Sequence, residues 1–441
     1  MKRSLKIFLF FVLALVLCSG NLSAFAQEEP ITITWWSDYT DADLMNKIQE
    51  QIIIPFEAAN PDIKVETVGK GDYDRVLQTA LATNSGPDIY NTNGPAYSMQ
   101  FAIDGLAADL SVYAETYNWT ANVMDWALEA CHYDGKLYSI PTTTETVFLF
   151  YNPDMMEENG WTVPTTFDEL LTVCDAMIEK GIYPFGFGAS DFKPANEWWL
   201  TLAFNYYAGR DNVAKALRGE LPWNSPIFVE AVEILNSMWQ KGYITGKMSH
   251  EITMSDALSL FGEEKAGFVG WATWLLKDLA KYSDNFDFDF TRWPVWNPDI
   301  EESLIVGIGS CLAINATATP EKQDAAARFI NFLLEDKQRA AALSVTLNGE
   351  LWIPMEYALE DFPADTDPKF LHVIEEFNTI PEDAPGLSMW TFWSPGFETY
   401  LYENIERVWL NEITAQQLMD EGQIIFEQEL KEGKVPPTPG R

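Results

Sequence analysis

The sequence predicts an α/β protein whose sheet is largely parallel and covered by helices on both faces. Two observations carry that prediction: strand and helix patterns alternate from residue 31 onward, and a second alternating series begins near residue 145. In the first series, residues 31–36 read as a strand. A helical pattern follows with Leu44, Ile48, Ile52 and Phe56 four apart, and Asn60-Pro61 stops it. A strand at 64–67, a helix carrying Val76, Leu77, Ala80 and Leu81, and a strand at 88–91 after Gly86-Pro87 complete a βαβαβ unit.

The second series starts with a strand at 145–151. Its next helix is announced by Thr166 and Glu169 in capping-box spacing and closed by Gly181. Strands are expected at 184–188, 266–270, 286–292 and 308–314. Pro320 then opens a helix whose apolar face holds Ala326, Phe329, Ile330 and Leu333. Residues 395–432 read as two further helices before the Pro-rich end. No solenoid-period repeat and no low-complexity linker interrupts this order.

Lys2, Arg3 and Lys6 precede an apolar run over 7–17 and the small-residue pattern Ala24-Phe25-Ala26, which together read as a signal peptide over residues 1–26. The run reaches only about half of the roughly 20 residues that span a bilayer. An export signal therefore places the mature protein across the inner membrane, in the periplasm. Lipidation at Cys18 is the rival reading, and the bulky Leu17 before it argues against a lipid anchor. At 441 residues and a net charge of −38, the chain is long enough for two or three domains. Its anionic field repels nucleic acid and acidic membrane surfaces.

Beyond the leader stand Cys131, Cys174 and Cys311, an odd number without metal-type spacing, so no disulfide framework or metal site is expected. Cys174 shares a helical face with Leu170, Leu171, Met177 and Ile178 and reads as core. The chain has no G-x-S-x-G, G-x-x-x-x-G-K-[ST], H-E-x-x-H or G-x-G-x-x-G motif, and only three scattered histidines. Catalysis and a cofactor are not expected. Asp287 and Asp289 alternate with Phe286, Phe288 and Phe290, which fits a half-buried strand better than a cation site.

Tryptophan is abundant, with 17 residues, and several fall where a strand gives way to a loop or helix. Trp35-Trp36-Ser37-Asp38-Tyr39 follows the first strand, Trp198-Trp199 the 184–188 strand, and Trp271 and Trp274 the 266–270 strand. Trp390-Thr391-Phe392-Trp393 precedes the last helices. In parallel α/β sheets ligands bind beyond the carboxyl ends of the strands, so these rings are placed to line a cleft. A sugar ring offers C–H faces and a rim of hydroxyls. Flat aromatic rings, carboxylates and amides match it.

The chain resembles the family 1 extracellular solute-binding proteins of carbohydrate ABC importers. The resemblance rests on residues 31–37, on Phe56-Glu57-Ala58-Ala59-Asn60-Pro61-Asp62-Ile63-Lys64-Val65, on Gly86-Pro87-Asp88-Ile89, and above all on Asp134-Gly135-Lys136-Leu137-Tyr138-Ser139-Ile140-Pro141. It continues through Glu145, Tyr151-Asn152-Pro153-Asp154, residues 164–170 and residues 261–267.

The resemblance implies a two-lobed class II periplasmic-binding fold with three crossings, expected near 141–145, 291–296 and 348–354. One lobe would hold 27–141 with 297–347, the other 145–291 with 354–441. It implies hinge closure around a ligand and delivery to ABC permease subunits at the membrane by a monomeric carrier.

By position in the family pattern, Glu145 corresponds to a sugar-binding glutamate and Asp38 to the aspartate past the first strand. Asn91 and Asn93 fall in the segment after Pro87-Asp88-Ile89 that contacts sugar. Trp271 or Trp274 corresponds to the aromatic after the Ala266–Gly270 stretch, and Trp390 and Trp393 lie near a C-terminal stacking tryptophan. Trp36, Tyr39 and Trp198 join them as candidate ligand contacts on their place after strands. Thr92 departs from the pattern, where a sugar-binding relative has an aromatic. A secreted glycosidase using Asp38 and Glu145, or a sugar sensor or adhesin without an importer, are the alternatives in function. Polyamines, glycerol phosphates and metals are the alternatives in ligand.

Overall fold

In the computed structural model, described over residues 29–273, 276–283, 285–380 and 385–438, the first strand is β1 (Ile31–Ser37). The signal peptide with Cys18, and Trp274, lie outside the described residues, as does the side chain of Trp271. β2 (Ile63–Gly69) and β3 (Ile89–Thr92) both run parallel to β1, as the βαβαβ reading requires. Alternation along β1 buries Ile33 and Trp35 on one side. There Trp35 meets Phe329 of the Pro320–Leu334 helix with ring centroids 5.5 Å apart.

The helix between β1 and β2 is less regular than its apolar spacing suggests. It runs as Ala42–Ile48, a π-helical turn at Gln49–Ile53, and Ile54–Ala59. Pro55 has no N–H to donate and its ring crowds the preceding turn, and the wider π turn accommodates both.

β4 (His132–Tyr133) and β5 (Lys136–Leu137) form a hairpin around Asp134 and Gly135, both at positive φ (48° and 72°). That is the two-residue turn geometry an Asp-Gly pair favours. It delivers the chain into β6 (Ile140–Tyr151), the longest strand and nearly all buried.

β7 (Tyr183–Phe185), β8 (Ala266–Ala272) and β9 (Asp289–Thr291) follow, and then β10 (Ile305–Ile314) and β11 (Gly386–Leu387). The main sheet is ordered β2-β1-β3-β10-β6-β8-β7, with β9 on β6 and β11 on β10. β6 and β10 are thus common to both halves. Residues 140–146 of β6 pair with β10, and residues 147–151 pair with β8.

The second crossing differs from expectation. Residues 291–296 do not pass between the halves, because Thr291 still pairs with Leu149 of β6 and Trp293 stacks on Phe185. β10 makes that passage instead, and it carries a register irregularity around Gly309 where it faces β6. Residues 350–352, in the third expected passage, lie against β6: Thr144 N–H donates to the Trp352 carbonyl, and the Thr143 hydroxyl donates to the Glu350 carbonyl at 2.9 Å.

The Phe167–Glu179 helix has its capping box, with Thr166 and Glu169 reciprocally bonded, and Cys174 is fully buried on it. β7 ends three residues before the expected Gly188. A Cβ at Gly188 would stand 2.2 Å from the Thr253 carbonyl oxygen, so that segment is pressed against a loop instead of pairing. β9 is likewise shorter than 286–292, although Phe286, Phe288 and Phe290 are all buried. The tail forms helices Pro395–Trp409 and Ala415–Lys431. No helix among the described residues is long and apolar enough to cross a membrane.

Candidate functional site

The parallel strands β1, β2 and β3 end on one edge, and the chain leaving β1 lies over that edge. Gly69, the last residue of β2, permits it: a Cβ there would stand 1.9 Å from the Tyr39 carbonyl oxygen. The Tyr39 hydroxyl is held by three segments. It donates to the Glu350 carbonyl at 3.1 Å, and the side chains of Asn91 on β3 and Ser310 on β10 lie in hydrogen-bonding relation to it. Burial raises the Tyr39 hydroxyl well above the ordinary tyrosine range, so it stays protonated and a donor.

Asp38, next to it, is open to solvent at its surface yet surrounded by protein on most sides, as befits a residue facing a cleft. Desolvation first, and then Glu350 and Asp74, push its carboxyl up to about 6. Asn93 stands at the rim, its amide donating to the Asp74 carboxylate at 3.0 and 3.2 Å.

Glu145 occupies the junction of the two halves. It pairs with Gly307 across the β6–β10 ladder. Its carboxylate rests over Gly309, where a Cβ would stand 2.0 Å from Oε1. A Cβ at Gly307, two residues earlier on the same face, would stand 2.4 Å from the Trp390 indole nitrogen. The two glycines leave a bare strip of β10 on which Glu145 and Trp390 lie. Burial pushes the Glu145 carboxyl up to about 8, and the nearby Glu197 and Glu350 add to the shift. The Trp390 N–H lies beside this carboxylate and favours its charged form, yet makes no hydrogen bond of good geometry. A buried donor left beside a carboxylate is a place where a ligand hydroxyl can bridge the two.

Opposite this strip, Glu197 on the Asn196–Ala203 helix and Glu398 on the Pro395–Trp409 helix are buried against each other. Both are raised, chiefly by desolvation. Glu197 is raised further by the Glu398 carboxyl beside it. Tyr97, reaching across from the Gly94–Ile103 helix of the first half, feels Glu398 and Glu197 and the neighbouring Tyr402. Asp38, Asp74, Glu145, Glu197, Glu350 and Glu398 therefore share one acidic field. No lysine or arginine is among the groups shifting the five of them whose carboxyls are raised.

The structure brings Asp38, Tyr39, Glu145 and Trp390 together around the junction and puts Asn93 at the rim. Three expected contacts are corrected. Trp393 is fully buried among Trp223, Phe204 and their neighbours, inside the second half's core. Trp198 is buried on its helix beside Phe187. Trp36 turns away from the cleft, its ring covered by the Lys70 ammonium at 4.3 Å. Asn91 is buried and acts from behind, accepting the Trp35 N–H at 2.8 Å while it holds Tyr39.

The residues missed by the sequence reading are Glu197, Glu398, Glu350, Tyr97 and Asp74. Glu197 had a signal, as a lone carboxylate entering the apolar run Trp198-Trp199-Leu200. No group of three or more potential metal ligands occurs among the described residues.

Two lobes joined by a shared pair of strands, with polar and aromatic side chains meeting at the junction, define a protein built to enclose a small solute. The chain belongs to the bacterial extracellular solute-binding protein family, whose profile matches residues 36–340. It is similar to a multiple sugar-binding protein of Streptococcus mutans, 23% identical over 72% of this chain and 74% of the relative. A melibiose/raffinose/stachyose-binding protein of Bacillus subtilis is 25% identical over 78% and 80%. An sn-glycerol-3-phosphate-binding periplasmic protein of Agrobacterium fabrum is 22% identical over 71% and 72%. Among solved structures, a chitin oligosaccharide binding protein superimposes with a TM-score of 0.76 over 90% of this chain and 98% of its own, at 18% identity.

Proposed function

We propose that the protein captures a neutral sugar, a di- or oligosaccharide, between its lobes and delivers it to the permease subunits of an ABC importer. The arrangement of Glu145 and Trp390 over the glycine strip carries this reading. It offers an aromatic face, an unused N–H donor and a carboxyl whose raised pKa lets it donate or accept near neutral pH. Tyr39 and Asp38 extend the site on one wall, and Glu197, Glu398 and Tyr97 on the other. Asn93 and Trp271 or Trp274 stand as further contacts.

The relatives bind both sugars and sn-glycerol 3-phosphate. The field of six carboxyls favours the sugar, since a phosphate dianion there would need cationic partners.

The lobes are proposed to comprise 27–141 with most of 297–347, and 145–291 with most of 354–441, working as a monomer exported by the 1–26 leader. The Met389–Phe392 turn packs with the first lobe, beside Gly94 and Trp126. The protein acts as a carrier and not as a glycosidase. Titration calorimetry of the mature protein against raffinose, xylo-, chito- and galacto-oligosaccharides and sn-glycerol 3-phosphate tests the reading. Binding of at least one sugar and none of the phosphate is expected. Binding of the phosphate alone overturns it.

A further inference from the structure

Cys131 follows the short Asp125–Glu129 helix in the first lobe, and Cys311 lies on β10. They are 180 residues apart in the chain, yet their sulfurs are 3.8 Å apart and both side chains are buried. The third thiol, Cys174, is buried separately in the second lobe's Phe167–Glu179 helix. We propose that Cys131 and Cys311 are joined by a disulfide formed as the protein folds outside the cytoplasm, leaving Cys174 as the sole thiol.

The inference rests on the family's extracellular location, where oxidising conditions allow disulfides to form and persist. It does not depend on the identity of the ligand. Closing the bond needs the sulfurs to approach from contact distance to about 2.05 Å. At 3.8 Å the two sulfurs are already in contact, with no room for another atom between them.

The chemistry is a two-electron oxidation. The two S–H bonds break, an S–S bond forms, and two protons and two electrons pass to an oxidant. That oxidant is a disulfide of the thiol-oxidase or glutathione class, itself reduced to two thiols. Burial excludes the oxidant from the finished fold, so the exchange has to occur while the chain is still open. The odd cysteine number, which argues against a disulfide framework, is satisfied by one bond and one spare thiol.

The bond would also have a structural effect. Cys311 lies just beyond the irregularity at Gly309, and Cys131 lies in the helical layer behind it. The staple would fasten β10 to the first lobe at the point where the strand stops being shared.

The test uses the mature protein exported to the periplasm of a bacterial host, denatured in guanidinium chloride at about pH 8 in the presence of iodoacetamide, and weighed intact. One alkylation per chain, at Cys174, and a cross-linked peptide joining 131 to 311 are expected. Three alkylations overturn the proposal. Protein unfolded with reductant and refolded with oxidised glutathione should regain the bond, whereas native reduced protein given the same reagent should not.

Cys131→Ala should raise the count to two. Removing a bond that closes so long a loop should lower the melting temperature by about 5 °C against oxidised wild type. Reductant present during unfolding should lower wild type by a similar amount and leave the variant unmoved. A variant and a wild type equally insensitive to reductant would show that the thiols never pair.

Discussion

On the first wall of the cleft, Asp38 is exposed at its surface and Asp74 accepts from the Asn93 amide near the rim. On the second wall, Glu197 and Glu398 are sealed in beside each other, and burial raises both carboxyls. The first arrangement can exchange its solvent for ligand hydroxyls at small cost. The second is a fixed, preorganised surface whose charge is set before the ligand arrives. A cleft made of one adaptable and one rigid face has its affinity decided by the rigid one and its access by the other.

The sharpest test of this contrast is at the residue both walls address. Glu145→Ala is expected to weaken sugar binding by more than about 100-fold in calorimetry, with little change in melting temperature, because it removes a hydrogen-bonded charge-bearing contact. Equal loss from Asp38→Asn would erase the difference between the walls.

Next come two tryptophans three positions apart. Trp390→Ala should cost roughly 10- to 100-fold in affinity. Trp393→Ala should instead destabilise the fold by about 3–5 kcal/mol in denaturant titration and leave the affinity of the folded fraction unchanged.

A smaller effect separates the walls by pH. Glu145 is raised to about 8 and Asp38 to about 6, and Glu197 and Glu398 are raised as well. In that window the folded state binds more protons than the unfolded one, so stability of the ligand-free protein falls as pH rises from about 4.5 to 8. Melting temperature should drop by roughly 3–5 °C from pH 5 to pH 8, and Glu145→Gln should remove a part of that slope. A slope unchanged in Glu145→Gln would locate the titration elsewhere. The smallest effect is expected from Asp38→Asn, about 3-fold in affinity.

The same division explains what the sequence made legible. Strand ends are announced by alternation and by turn chemistry, so the positions of Asp38 and Tyr39 just past β1 and the capping box at Thr166 and Glu169 could be read from their neighbours, whereas Glu145, inside β6, was pointed to only by the family pattern. Trp198 and Trp393 follow strand or loop signals too, but each lies where a helix turns it into the core, and periodicity over so few residues cannot decide the side. Glu197 and Glu398 come from helices almost 200 residues apart. Their partnership exists only in the tertiary fold. The second crossing was misplaced for a similar reason: β10 starts three residues earlier than its apolar pattern, and its pairing with both halves is a long-range property.

The irregularity at Gly309 has a mechanical meaning. β6 and β10 pass side by side from one lobe to the other, so lobe motion must bend a two-stranded beam instead of swinging on loops. A bulge is the compliant point of such a beam, and the carboxylate of Glu145 rests on it. A sugar held by Glu145, as proposed, would therefore push at the fulcrum, where a displacement of a fraction of an ångström becomes a wide sweep at the lobe tips.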